Sequence, residues 1–217
     1  MTEENLFSPT SGWTVLSVNI IMYLFVILCL IWGIVQINVH TNPWAWIFGG
    51  VVLIAAILTS IGFFILQPNQ AGAMVLFGDY RGTVKENGFF WRNPFMSVQK
   101  ISQRSRNLDG EKLKVNDKGG NPIDIAAVVV WKVENTAQAL FDVDDYLDYV
   151  TTQSDAAVRY LAGFYHYDTD EPDEISLRDS KDEVSEKLSR ELQDRLEKAG
   201  VIVEEARISH LAYASEI

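Results

Sequence analysis

The chain has 217 residues, 48% of them hydrophobic and 22% charged, with a formal net charge of −11 at pH 7. The length fits one ordinary globular domain, but the apolar residues are not evenly spread: between Glu4 and Asp79 lie 74 residues without a single Asp, Glu, Lys or Arg. Since about a quarter of positions in a soluble protein are charged, that gap tells against a wholly water-soluble chain, and the acidic remainder tells against a nucleic-acid partner, whose phosphates it would repel.

After an N-terminal tail (residues 1–15), the gap holds two long apolar runs, LSVNIIMYLFVILCLIWGIVQINV (Leu16 to Val39) and WAWIFGGVVLIAAILTSIGFFIL (Trp44 to Leu66). As helices, each would be about 35 Å long at 1.5 Å per residue, enough to cross a hydrocarbon core of about 30 Å with some tilt. Between them stands HTNP, a helix stop followed by Pro43 near the first turn of the next helix. The expectation is therefore a transmembrane helical hairpin over 16–66. A cleaved signal peptide would need a basic start and a short apolar stretch, whereas this N-terminus carries Glu3 and Glu4 and the run exceeds twenty residues. Trp13, Trp44 and Trp46 fall near the expected ends, where amphipathic rings prefer the interface. Ala56 and Ser60 form a small-x-x-x-small pair that lets the two helices approach closely. Cys29, the single cysteine, lies inside the first run, where a small apolar role is expected.

A hairpin returns the chain to the side on which it began. The interhelical loop has no Lys or Arg, while Arg81, Lys85, Arg92 and Lys100 follow the second run, so the positive-inside bias places the soluble part in the cytoplasm.

The soluble part opens with strand-like segments, AGAMVLFGDYRGTV and VQKISQRSRNL, separated by the turn-rich KENGFFWRNPF. GEKLKVN, the turn DKGG and then IDIAAVVVWKV read as a β-hairpin. The uncharged stretch Ile125–Trp131 is too short to span a membrane. At period two it puts Ile123, Ile125, Ala127, Val129, Trp131 and Val133 on one apolar face, while the other face is apolar only at its centre. Residues 67–135 thus form a β-rich subdomain.

From 136 to 217 the period changes to give an α+β subdomain. Thr136–Phe141 is a short helix, and DDYLDYVTTQSDAAVRYLAG starts with acidic residues suited to a helix N-terminus and ends at Gly163. After the acidic loop YDTDEPDEIS comes a helix from Ser180 to Ala199. It starts at the capping box Ser180-Lys-Asp-Glu183, carries Val184, Leu188, Leu192 and Leu196 at spacing four, and stops at Gly200. VIVEEARISHLAY reads as a closing strand.

In this order, apolar anchor, QPNQAGAMVLFGDYRGTV, GFFWRNPF, LKVNDKGGNPIDIAAVVVWKVEN, FDVDDYLDYV and EKAGVIVEEARISHLAY, the chain resembles the SPFH (band 7) superfamily of stomatins, prohibitins, flotillins and HflK/HflC proteins. The likeness covers Gln67 to the C-terminus, and the two-span anchor is similar to that of a bacterial subgroup in the cell (inner) membrane. The resemblance implies a membrane-anchored α+β protein: a two-helix transmembrane hairpin followed by an SPFH domain of two subdomains. It also implies a tethered scaffold that oligomerises in many copies into rings or cages, enclosing a patch of lipid and client proteins such as a membrane protease. The alternative is an adaptor or regulatory subunit of a single membrane protease or transporter. In the family a long Ala/Glu/Arg-rich helix follows the closing strand. This sequence stops at AYASEI where that helix is expected, as a fragment or a chain without the element.

No enzyme site is expected. His40, His166 and His210 are far apart and none has a metal partner at ligand spacing. G-x-S-x-G, P-loop and G-x-G-x-x-G motifs are absent from the sequence. DTDEPDE lacks the spacing and glycine of a calcium loop, and charge runs of this kind are solvated. No catalytic residue, cofactor or metal is expected.

Charge and aromatics instead point to lipid. Residues 79–120 hold nine basic and five acidic side chains, a net of +4, whereas 121–217 hold nine basic and twenty-two acidic, a net of −13. The basic part suits anionic headgroups. GFFWRNPF carries four aromatics in eight residues, more than a connecting turn needs. Phe89, Phe90, Arg92, Arg81 and Lys85 are the candidate membrane-contact residues. Trp91 and Phe95 are expected to point inward, Phe89 or Phe90 toward lipid, and Arg92 to sit at the headgroups.

Overall fold

The computed structural model describes residues 2–36, 44–169 and 175–214. The expected HTNP loop with His40, the centre of the acidic loop and the last three residues lie outside them. The chain forms two compact units, one of Asn5–Ile101 and the other of the described parts of residues 1–4 and 102–217.

The first unit begins with β1 (Thr10–Ser11), α1 (Gly12–Gln36) and α2 (Trp44–Ile61). Among the described residues α1 is the helix long and apolar enough to cross a membrane. Only 17% of its apolar window is buried, the reverse of a core helix in a soluble protein. The two helices are joined by polar side chains placed within the apolar surface. Asn19, 4% exposed, donates from Nδ2 to the Ala56 carbonyl at 2.9 Å. The Ser60 hydroxyl lies 2.8 Å from that same carbonyl, 3.2 Å from Asn19 Oδ1 and 3.1 Å from the Tyr23 hydroxyl. Ser60 has one proton, which Ala56 and Asn19 share as acceptors, so in the third contact the Tyr23 hydroxyl donates. Ala56 is fully buried at this crossing, as its small size permits.

The second apolar run does not stay helical to Leu66. α2 stops at Ile61 after 18 residues, about 27 Å at 1.5 Å per residue, and Phe63–Leu66 form β2. Apolar aromatic and β-branched residues suit either element, and the partner decides. β2 pairs antiparallel with β5 (Gly88–Trp91), from Phe63 opposite Trp91 to Leu66 opposite Gly88. The stretch read as part of a turn is therefore a strand, and it is the middle one of the sheet β1-β5-β2.

A second sheet has the order β4-β3-β6, from β3 (Gln70–Leu76), β4 (Asp79–Val84) and β6 (Met96–Ser102). β3 and β4 are joined by Phe77 and Gly78 alone, with φ of 52° and 89°. Two positive φ values are what a two-residue hairpin loop of matching twist requires, and Asn-Gly is the usual choice. Phe77 takes a left-handed conformation that costs an ordinary side chain about 1–2 kcal/mol. Phe64, Leu66, Met74 and Val84 form the core, with Phe7, Phe90 and Val98 packed against it. Asn5–Phe7 runs beside β4, with Phe7 N–H bonded to the Thr83 carbonyl and Thr83 N–H to that of Asn5.

The second unit is a sheet of the order β10-β9-β7, with β8 also on β9. Its strands are β7 (Arg106–Asp109), β8 (Leu113–Asn116), β9 (Pro122–Val133) and β10 (Val201–Tyr213). The odd-numbered face of β9 from Ile123 to Val133 is 0–4% exposed, as period two requires. The helices are α3 (Thr136–Phe141), α4 (Tyr146–Ala162) and α5 (Lys181–Leu196). α5 buries Val184, Leu188, Leu192 and Leu196 completely, each contributing about 1.5–3 kcal/mol. Gly200 ends the following 3₁₀ turn at φ 63°, where a Cβ would stand 2.3 Å from the Asn135 carbonyl oxygen.

Two expected caps differ. Ser180 makes no side-chain cap, because its Oγ accepts instead from the Ser176 N–H and closes the preceding loop. Gly163 sits at φ −69°, so α4 ends without a left-handed residue. Asp145 does cap α4, accepting from the Leu147 and Asp148 N–H groups. Residues 2–4 reach the start and end of α3: the Thr2 N–H bonds Asp142, and Glu4 accepts from the Thr136 N–H.

Asp117, 5% exposed, holds the β8–β9 turn. Its carboxylate accepts from the Asn121 N–H at 2.8 Å, the Asn121 side chain at 3.1 Å and the Tyr167 N–H at 3.1 Å. Burial opposes its ionisation, but the bonds from Tyr167, Asn121 and Gly119 together outweigh that and hold its pKa below the ordinary value. A folded-state pKa below the unfolded one gives stability that is complete above about pH 4 and is lost as pH falls through the folded value. Asp117→Asn should flatten the acid limb of unfolding of the full chain in mild detergent. An unchanged acid midpoint would remove this role.

Val129 is 1% exposed on the covered face of β9. Val129→Asp buries an unpaired carboxylate at a cost of several kcal/mol, comparable with a small domain's whole stability. Limited proteolysis of the detergent-extracted protein should find the region after Ser102 cleaved rapidly, and wild-type resistance would show the strand phase to be wrong.

Candidate functional site

The Gly88–Phe95 stretch lies across the open end of the helical hairpin. Phe89 stacks on Phe63 with centroids 5.3 Å apart and meets the edge of Trp13 at 5.5 Å. The start of α1 is so close that a Cβ on Gly12 would stand 2.6 Å from the Phe89 ring. Two residues on, the Trp91 indole N–H donates to the Thr59 carbonyl at 2.8 Å, and the Arg92 N–H donates to that of Gly62 at 2.9 Å. β5 is thus fastened to the beginning of α1 and the end of α2. The last carbonyls of a helix have no intrahelical donor; here Trp91 of β5 serves Thr59, and Arg92, just after β5, serves Gly62, just after α2.

Gly62 is the residue that permits this approach. A Cβ there would stand 2.3 Å from the Arg92 carbonyl oxygen and 2.4 Å from Trp91 Nε1.

The expected contact residues do not form one surface. Phe90 packs against the core beside Phe64, with centroids 5.9 Å apart. Phe89 is half-buried between Phe63 and Trp13, and Trp13 is 69% exposed. Arg81, on β4, pairs with Asp79 at 3.2 Å, while Lys85 lies exposed beyond the other end of that strand. Arg92 is half-buried. Burial lowers its pKa, and its Nε and Nη1 have no hydrogen-bond partner among the described residues. A guanidinium remains charged there, so Arg92 is a half-buried cation whose Nε and Nη1 are enclosed.

Phe95 is not inward. It is 65% exposed, and its ring lies 6.1 Å from that of Phe77, which is 84% exposed. Phe77 was not among the expected contact residues. The readable clue is Phe-Gly in a two-residue hairpin loop, where Asn-Gly or Asp-Gly is the local preference.

In the second unit, Tyr167, Arg178, Lys181, Arg207, His210 and Leu211 help to line a groove of about 620 Å³ between β10 and the start of α5. Its charged groups are mostly cations, with Asp182 opposing them. A nucleophile and base at hydrogen-bonding distance are not among its described contacts.

Gly62→Ala and Trp91→Phe test the junction. The first forces the strand away from the helix end, and the second removes the indole donor, leaving the Thr59 carbonyl with the Gly62 N–H alone, at a cost of about 0.5–1.5 kcal/mol. Both should lower the thermal midpoint of the full chain in mild detergent, Gly62→Ala more so. Wild-type midpoints for both would show that the fastening adds no stability.

An uncharacterized protein of Methanothermobacter thermautotrophicus is 26% identical to this chain over 164 residues, covering 71% of this chain and 51% of the relative. The chain thus spans about half the length of that relative. The model of the family described as SPFH domain / Band 7 matches residues 64–217, from β2 through the sheet and helices of the second unit. The ordered strands, the α5 stripe and the closing β10 are the body of that match, and the chain belongs to the SPFH domain / Band 7 family.

Proposed function

We propose that this chain is a two-span, membrane-anchored, non-catalytic scaffold of the bacterial type. It sits in the cell (inner) membrane with its soluble part, after α2, in the cytoplasm. Many copies assemble laterally into a ring or cage that encloses lipid and client membrane proteins such as a protease. The observation that carries the reading is the fastening of β5 to both helix ends. A domain held at two points on its anchor keeps one tilt relative to the bilayer, and copies of equal tilt meet edge to edge at high local concentration.

The hairpin finds support in the chain's own pairing. Asn5–Phe7, before α1, is hydrogen-bonded to β4, after α2. That pairing supports both flanks lying on one side, as a two-span hairpin requires. At 18 residues α2 is slightly short of an average core, which a locally thinner bilayer accommodates. The basic residues after α2 favour the cytoplasmic side.

Particle mass after extraction in lipid nanodiscs or mild detergent tests assembly. Many copies of one chain are expected, whereas a few copies bound to one protease or transporter would make it an adaptor. A reporter fused after Ile217 should behave as cytoplasmic, and periplasmic phosphatase activity from it would overturn the orientation.

A further inference from the structure

We propose that Phe77 and Phe95 form a lipid-binding wedge that seats in the bilayer interface beside the hairpin, with membrane phospholipid as its occupant. This rests on the reading that α1 and α2 span the membrane. The two rings come from different loops of the first unit, the β3–β4 turn and the turn that follows β5, and they meet at 6.1 Å. Their loops are held together, since the Ser97 hydroxyl at the start of β6 bonds the Val75 carbonyl at the end of β3.

The level of the wedge follows from the junction. Arg92 bonds Gly62 at the end of α2, and β5 is fastened at Phe89 to the start of α1, so β5 lies where the helices leave the apolar layer. The chain then makes a tight turn, with Met96 N–H bonded to the Asn93 carbonyl at 2.9 Å and Phe95 N–H to Asn93 Oδ1 at 3.0 Å. Three residues cover at most about 11 Å, which keeps Phe95 within reach of the interface. Trp13, exposed at the start of α1, marks the same level. Arg92, half-buried, puts a cation beside the turn, a charge that suits headgroup phosphate.

Phe77 supplies the second line of argument. A phenylalanine with 84% exposure and φ 52° is opposed by both solvation and backbone preference. Glycine or asparagine would serve the hairpin better, so the ring serves something other than folding. Strain of this kind collects at contact sites, and an aromatic anchor at a lipid interface is a use that rewards exposure.

The test uses the full chain in liposomes containing anionic lipid, in a Cys29→Ala background, with one nitroxide at a time. The sites are Phe77→Cys, Phe95→Cys, Ile31→Cys on α1 and Glu86→Cys in the β4–β5 turn. Collision with oxygen relative to a water-soluble nickel chelate reads depth. The expected order is deepest at 31, interfacial at 77 and 95, and aqueous at 86, with a several-fold difference between 77 or 95 and 86. If 31 is deep while 77 and 95 match 86, the wedge is overturned and the anchor stands. If 31 is aqueous, the anchor reading fails and the wedge with it. Shielding of 77 and 95 from both reagents would mark a protein contact, such as a second copy, and overturn the lipid assignment. Phe77→Gly separates lipid contact from folding: the thermal midpoint in detergent should hold or rise, while nitroxide at 95 becomes several-fold more accessible to nickel. A lowered midpoint with unchanged depth at 95 would make Phe77 structural and overturn the proposal.

Discussion

The end of an α-helix leaves carbonyl groups without donors, and where that end coincides with a change from apolar to polar surroundings they are costly to leave unpaired. At the end of α2 the Thr59 carbonyl is taken by the Gly62 N–H and the Trp91 indole, and the Gly62 carbonyl by the Arg92 N–H. The rest of the first unit follows from this. The helix has to stop at Ile61, Gly62 has to be small, and Phe63–Leu66 have to leave as a strand in register with Gly88–Trp91. The aromatic content of that strand then gives the hairpin an apolar lid made of Phe63, Phe89 and Trp13.

The second unit is organised on different terms. β9 is flanked on both edges, by β10 along nearly its whole length and by β7 and β8 in succession on the other side. Its covered face is closed to solvent from Ile123 to Val133. Charged residues stay at the margins, as in the Lys132–Glu204 pair at 2.7 Å between neighbouring strands, where exposure keeps their energetic weight small. Lys132 is held above and Glu204 below their ordinary pKa values, each mainly through their shared hydrogen bond. Such a unit draws its stability from burial.

Much of this was legible because the signals are local. The faces of β9, the bounds of α3, the leucine stripe of α5 and the left-handed Gly200 all follow from spacing and turn chemistry. The end of α2 was not legible, because FFIL is equally apolar as helix or strand and only its partner 25 residues later decides. Composition likewise gave the aromatics of Gly88–Phe95 but not their directions: the packing of Phe90 on Phe64 and the exposure of Phe95 depend on how two sheets fold over one another. Ser180 matched a capping box in sequence, yet its hydroxyl was taken by Ser176, a competitor that spacing alone does not weigh.

The hydrogen bond between Thr2 and Asp142 joins residues 140 positions apart. Closing so long a loop adds only modest entropic cost over a shorter one, but it fixes an order of events during synthesis. The first few residues leave the ribosome before both helices and can reach their partner only after α3 has been made. Residues 2–4 therefore dock only after both helices and the strands up to β9 have been made. Thr2 is then part of the finished fold, and its N–H and hydroxyl have to stay able to meet that carboxylate.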